Sequence, residues 1–254
     1  MITDFLKILC QIDSLRRRLV FPLVFTMALC FGSSLPALSH SRSDSSLQNT
    51  IETQEQDTIQ NPNLYNGRVW RNLYPMVRGN QFLFSDDFLP GTVTINNKRF
   101  DNLYMRYDIY NDEVMIKTPG GIVLQINKEM VNSFTLDFEK KTYSFLKLEK
   151  GQYELDGYVS VLYLGKVSLF VKYTKKILPL EVEKKFDLFE QSHRMYLRKE
   201  NSIYQVNRKK DILVLFENSK QQIRSFIKTN KIYVSKNYPE RCIPLVEFCD
   251  HLSP

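Results

Sequence analysis

From residue 81 onward apolar and polar positions alternate in short runs, broken by residues that favour turns. Ile122, Leu124 and Ile126 would share one face of a strand, and Phe134, Leu136 and Phe138 another. This period of two predicts strands over residues 81–85, 92–95, 103–110, 113–117, 122–126, 133–138, 143–148, 158–164, 166–173, 195–199 and 202–206. The breaks between them are good turn chemistry: Asn96-Asn97, Asn111-Asp112, Thr118-Pro119-Gly120-Gly121, Gly165 and Glu200-Asn201. In the hairpin around Gly165, Val159, Val161 and Tyr163 are expected on the same face as Val167, Leu169, Val171 and Tyr173. About ten short strands at this spacing predict a mainly β fold, an antiparallel barrel or sandwich, with no intervening helix before residue 180.

Beyond residue 207 the period changes to that of a helix. Ile212, Leu215 and Phe216 fall at helical spacing, as do Ile223, Phe226 and Ile227. Ser219 and Gln222 have the spacing of a capping box, and Asn230 is a plausible stop. Pro239 and Pro244 sit near the start of a last helix carrying Leu245, Val246, Phe248 and Leu252. The expected division is a leader over 1–39, a polar linker over 40–66, an antiparallel β domain over 67–207, and a helical segment over 208–254 packed on it.

The amino end has a different pattern. Arg16-Arg17-Arg18 precede an apolar run from Leu19 to Phe31, and small residues follow. That order matches a secretory signal peptide. The run is about 13 residues, short of the roughly 20 that a membrane-spanning helix needs. Ala37-Leu38-Ser39 offers small residues for cleavage before His40. Leu29 stands where a lipoprotein signal would place Gly or Ala before Cys30, so lipidation is not expected. An uncleaved anchor or a buried helix is the structural alternative. The stretch 40–66, rich in Ser, Gln, Asn and Thr, lacks the apolar surface to offset ordering and reads as disordered, with order beginning near Val69-Trp70.

Composition agrees with sheet: 17 Phe and 14 Tyr stand against a single Trp. All nine glycines lie at or before Gly165, which places hairpins first and helices later. The net charge is +7, and removal of 1–39, with four cations against two acids, would leave roughly +5 on the remainder. Cys10 and Cys30 would leave with the leader. Cys242 and Cys249 are too few for a disulfide framework and are expected as packed thiols, although Pro244 leaves a bridge open.

The segments Gly91-Thr92-Val93 leading to Arg106-Tyr107-Asp108-Ile109-Tyr110-Asn111-Asp112-Glu113 form one distinctive stretch. Leu162-Tyr163-Leu164-Gly165-Lys166-Val167, followed by Lys172-Tyr173-Thr174-Lys175-Lys176, form a second. Lys210-Asp211-Ile212-Leu213 through Ile223, Phe226-Ile227-Lys228 and Leu245-Val246-Glu247-Phe248 complete a third. Over most of residues 70–252 this order resembles a group of exported proteins common in Bacteroidota. The resemblance implies an envelope location in a Gram-negative cell and brings no catalytic residues with it.

Candidate chemistry is sparse. Asp108, Asp112 and Glu113 are dense enough in oxygen to suggest Ca²⁺, but their spacing departs from a calcium loop and suits a turn. Asp86-Asp87 between Phe84 and Phe88 reads the same way. His40, His193 and His251 have no companion at zinc-ligand spacing. The chain has no Gly-x-Ser-x-Gly elbow and no phosphate loop. Lys172-Tyr173-Thr174-Lys175-Lys176 and Arg208-Lys209-Lys210 could serve nucleic acid, yet a solvated strand end and helix start are preferred for an exported chain. Most predicted strands are shorter than the 9–11 residues of a membrane barrel.

The expected function is therefore a non-catalytic envelope binding or assembly module with no catalytic, metal or cofactor residues. Its partner would be an envelope protein or a glycan, not nucleic acid, and no membrane span would remain after leader removal. The alternatives are a periplasmic hydrolase with a site assembled from distant residues, and a carrier of a small lipid or hydrophobic ligand with a dry cavity inside a closed barrel. Export predicts recovery outside the cytoplasm with a new N-terminus near His40. N-terminal sequencing of fractionated cells checks this, and protein found only in the cytosol at full precursor mass contradicts it.

Overall fold

Among the described residues the alternating pattern builds one sheet of eleven antiparallel strands. The computed structural model describes residues 62–148, 155–179 and 187–253, all belonging to the unit Ser45–Pro254. The strands are β1 (Gly67–Val69), β2 (Leu89–Ile95), β3 (Lys98–Asp108), β4 (Glu113–Lys117), β5 (Val123–Ile126) and β6 (Val131–Phe138). They continue with β7 (Lys141–Leu148), β8 (Gly157–Tyr163), β9 (Val167–Leu178), β10 (Leu188–Lys199) and β11 (Ser202–Val206). Across the sheet they run β1-β5-β4-β3-β2-β6-β7-β8-β9-β10-β11. The outermost strands, β1 and β11, do not pair with each other, so the sheet is open. That removes the barrel from the two expected architectures, and with it the closed container a lipid carrier would need.

One face of the sheet carries the core along its whole width. From β2 to β8 this face holds Val93, Met105, Tyr107, Phe134, Leu136, Phe145 and Tyr158. Phe134 and Phe145 stack at 4.6 Å, and Tyr107 and Tyr158 meet them edge to face. Strands β3 and β8 are separated by three others in the sheet order, a span of about 19 Å in a flat sheet. Yet the rings of Tyr107 and Tyr158 lie 5.8 Å apart, and the Lys175 amide of β9 donates to the Ile109 carbonyl. The sheet therefore curls on itself, and the aromatic cluster fills the concave side.

From β9 to β11 the same face is covered by helices instead. These are α1 (Lys209–Leu215), α2 (Lys220–Thr229) and α3 (Ile243–Leu252). They bury Ile212, Ile223, Leu245, Val246 and Cys249 against Val167, Leu169, Met195 and Leu197. Phe226 of α2 stacks on Phe248 of α3 at 4.1 Å. Asp250 near the end of α3 accepts hydrogen bonds from the Val167 amide at 2.6 Å and the Tyr163 hydroxyl at 3.0 Å. A Cβ at Gly165 would collide with the Asp250 carboxylate, so glycine here answers to a helix as well as to a turn. Cys242 and Cys249 are both buried free thiols. Among the described residues no helix is long and apolar enough to cross a membrane.

The expected leader over 1–39, its cleavage point and the linker up to residue 61 lie outside the described residues. The last part of the expected linker does not: Leu64 is buried in the core. Three expectations need correction. Residues 81–85 are not a strand. Phe82 makes one isolated antiparallel bridge to Asp108, with the Leu83 amide donating to the Tyr107 carbonyl and the Ile109 amide to the Gln81 carbonyl. The pairing extends no further: Asn80 Oδ1 accepts from the Phe82 amide and Ser85 Oγ from the Asp87 amide on either side of it. Phe84, at φ 66°, instead turns inward against Phe138 and Tyr143.

In the β8–β9 hairpin a register shift between Val161 and Tyr163 pairs Val161 with Phe170 and Tyr163 with Leu169. Val159 and Val161 therefore join Phe170 on the opposite face, not Val171 as a strict alternation predicts. The box at Ser219 does not form, because Ser219 already belongs to a 3-10 turn, Glu217–Ser219, and its hydroxyl makes no cap bond. Asp211 of α1 does the equivalent work, accepting from the Asn207 and Arg208 amides.

Candidate functional site

Two places gather chemistry, and they differ in access. The first is the turn between β3 and β4. Asp112, at φ 60°, sits in the left-handed region that Asp tolerates, and this aims its carboxylate inward at β8 and β9. Oδ1 accepts from the Tyr107 hydroxyl at 2.6 Å and faces Lys172 Nζ at 3.0 Å. Oδ2 accepts from Lys128 Nζ at 2.7 Å, and the Tyr158 amide is shared between the two oxygens at 3.4 Å. Gly157, at φ 78°, leaves the room: a Cβ there would fall on the carboxylate.

Asp112 and Lys172 are 19% and 13% exposed, so the pair is screened little by water. Burial alone pushes the Asp112 carboxyl up. Lys172, Lys128 and Tyr107 outweigh it and hold the group below the usual carboxylate range. Burial lowers the Lys172 ammonium, and Asp112 partly offsets this. Burial, reinforced by Asp112, raises the Tyr107 and Tyr158 phenols. A carboxylate, two ammonium groups and two phenols drawn from five separate segments are what a site assembled from distant residues would look like. Every Asp112 oxygen is already taken by the chain's own donors, however, and the arrangement acts as a clasp that holds the curled sheet together.

The second place is an open groove of about 1000 Å³ beside the start of β3. A bulge opens it: Gly91 pairs with Leu103 and Val93 with Phe100, leaving an extra residue, and Asn102 takes φ 58°. Aromatic side chains in its wall are Tyr65, Phe88, Phe100 and Tyr104, the last 59% exposed. Lys98, Arg99 and Lys117 bring positive charge, and Asp86, Asp87 and Asp101 negative. Arg106 forms part of the floor, its guanidinium stacked on Phe88 at 3.8 Å and Phe82 at 4.7 Å, with Nη1 on Asp86 at 3.2 Å. Its Nε is buried with no hydrogen-bond partner among the described residues.

The residues singled out from sequence are scattered. Asp108 caps its own turn, accepting from the Tyr110 and Asn111 amides and from Gln81. Glu113 faces Arg68 at 3.4 Å. Asp108, Asp112 and Glu113 thus have separate partners and do not converge on one point. The basic run at Lys172–Lys176 is not a solvated strand end. Lys172 is in the clasp, Tyr173 lies against the core, and Lys175 Nζ donates to the Asn80 and Phe82 carbonyls. His193 lies 2.7 Å from the Lys236 carbonyl, and His251 is exposed at the end of α3. The groove went unread from sequence because its residues come from four loops and strand ends; the doubled turn residues Asp101-Asn102 inside a strand were the available signal. Comparison with protein-family models, curated proteins and solved structures gives no match.

Removing the Asp112 charge leaves the largely buried Lys172 ammonium and the partly exposed Lys128 ammonium without their shared counter-charge. Asp112→Asn is expected to cost about 3–5 kcal/mol at neutral pH, read from urea unfolding. The folded-state pKa is lowered, so the contribution is whole above the unfolded value of about 3.9 and is lost as pH falls through the folded one. The deficit of the variant should therefore shrink toward zero in acid. A deficit independent of pH contradicts the assignment.

Proposed function

We propose that the chain is exported and that its folded part is a non-catalytic binding module of the cell envelope. The bulge groove takes a glycan or an extended stretch of an envelope protein. What supports this most directly is the groove wall, where aromatic rings alternate with both signs of charge. The exposed ring of Tyr104 offers an apolar face for stacking. Asp101, Asn102, Lys98 and Arg99 beside it supply acceptors and donors for a hydroxyl-rich or peptide-like polymer. The balance of signs suits a polar ligand better than a polyanion. The leader pattern and the resemblance to exported Bacteroidota proteins support the location, and the reading calls for no cofactor.

A hydrolase reading would draw on the Asp112 cluster, the place where distant titratable groups converge. A general acid or base needs a reactant within hydrogen-bond reach, and the Asp112 oxygens are engaged by Tyr107, Lys128, Tyr158 and Lys172. The binding reading is favoured for that reason.

The test is retention of the full chain on isolated peptidoglycan sacculi and on immobilised envelope proteins, wild type against Tyr104→Ala. Tyr104 is exposed, so its loss should leave stability nearly unchanged. Retention on one of the two supports should fall about tenfold or more. Equal retention of both proteins, or none on either support, would overturn the proposal.

A further inference from the structure

A separate concentration of charge lies on the helical side, away from the clasp and the groove in sequence and in lining residues. Lys209 and Lys210 of α1 and Lys220 and Arg224 of α2 border one cleft of about 460 Å³, together with Leu213 and Val214. Lys209, Lys210 and Arg224 are exposed and Lys220 is half-buried, and none has an ion pair or hydrogen bond from its side chain among the described residues. The acid nearest in sequence is committed elsewhere, since Asp211 binds the Asn207 and Arg208 amides and pairs with the Arg208 side chain at 3.6 Å. The fold thus brings two pairs of cations from separate helices around one opening that, among the described residues, holds no acidic side chain. Like charges gathered this way repel unless an anion sits between them.

We propose that this cleft docks the protein on an anionic phospholipid surface, with phosphate headgroups among the four cations. The lining favours lipid over other anions. Among the described residues no aromatic ring borders the cleft, whereas single-stranded nucleic acid is held by stacking platforms and glycans are commonly met by ring faces. Aliphatic side chains border it instead, and Val214 is 53% exposed beside the cations, placed to meet the apolar boundary beneath the headgroups. This inference does not rest on the groove: a module held at a membrane could present that groove to any partner.

The test is co-sedimentation of the full chain with phosphatidylcholine vesicles, with and without about 30 mol% phosphatidylglycerol. Arg16–Arg18 and the apolar run at 19–31 can themselves bind lipid, so the quantity read is the change, between wild type and variant, in the preference for anionic over neutral vesicles. Each basic residue near such a surface contributes about fivefold, so Lys210→Ala/Arg224→Ala should lower the preference roughly 25-fold. High salt should abolish it. Both positions are exposed, and an unchanged urea unfolding midpoint serves as the control for folding. No preference for anionic vesicles in the wild type overturns the proposal, as does a preference the double variant leaves intact. Cleft-dependent binding of RNA or a sulfated glycan without vesicle binding overturns it too, assigning the cleft to a soluble polyanion.

Discussion

A wide open sheet does not close on itself through strand pairing, so something other than the ladder must hold its curl. Here that something is one carboxylate. Asp112, delivered by the β3–β4 turn, reaches Lys172 on β9, the Tyr158 amide on β8 and Lys128 in the turn before β6. It joins strands that are distant in the sheet order and so lets the aromatic rings between them exclude water. The aromatic cluster supplies the hydrophobic driving force. The carboxylate fixes where the curl ends, because desolvated charges tolerate few geometries.

The other half of the sheet solves the same problem differently. β9, β10 and β11 are too few to wrap a core, and three short helices cover them. Asp250 repeats the device on a smaller scale, tying α3 to the start of β9 and occupying the space that a side chain at Gly165 would need. Both carboxylates act at hairpin starts or turns where glycine leaves room, Gly157 for Asp112 and Gly165 for Asp250. With core and edges settled in this way, the bulge in β3 can open outward without disturbing the concave face.

Much of this architecture was legible in the alternation of residues. β4 and β11 fall on their expected residues, Asn96 and Asn97 both adopt the positive φ expected of a tight hairpin, and the change to helical spacing after residue 207 holds. What escaped is what period alone does not encode. The bulge near Leu162 moves Val159 and Val161 to the other face while keeping the run apolar throughout, so either phase looks acceptable. The early part of β10, Glu190 to Ser192, pairs with Thr174 to Lys176 as a polar ribbon without an apolar rhythm. At the candidate sites, Asp112 was visible as turn chemistry but its partners were not, since Lys128, Tyr158 and Lys172 become its neighbours only when the sheet curls. The basic cleft was half visible, as Arg208-Lys209-Lys210. Lys220 and Arg224 join it only through the angle between two helices.

The claim that one carboxylate holds the curl is tested most directly by native-state hydrogen exchange. The amides to follow are those of Tyr158 and Lys175, which bond across to Asp112 and Ile109, with Phe134 in the sheet interior as reference. If the clasp holds the curl, Asp112→Asn lets the Tyr158 and Lys175 amides exchange through a partial opening well below the global free energy, while Phe134 still exchanges only on full unfolding. If all three amides lose protection by the same amount, or the first two keep theirs, the curl is held by the aromatic core alone and the account is wrong.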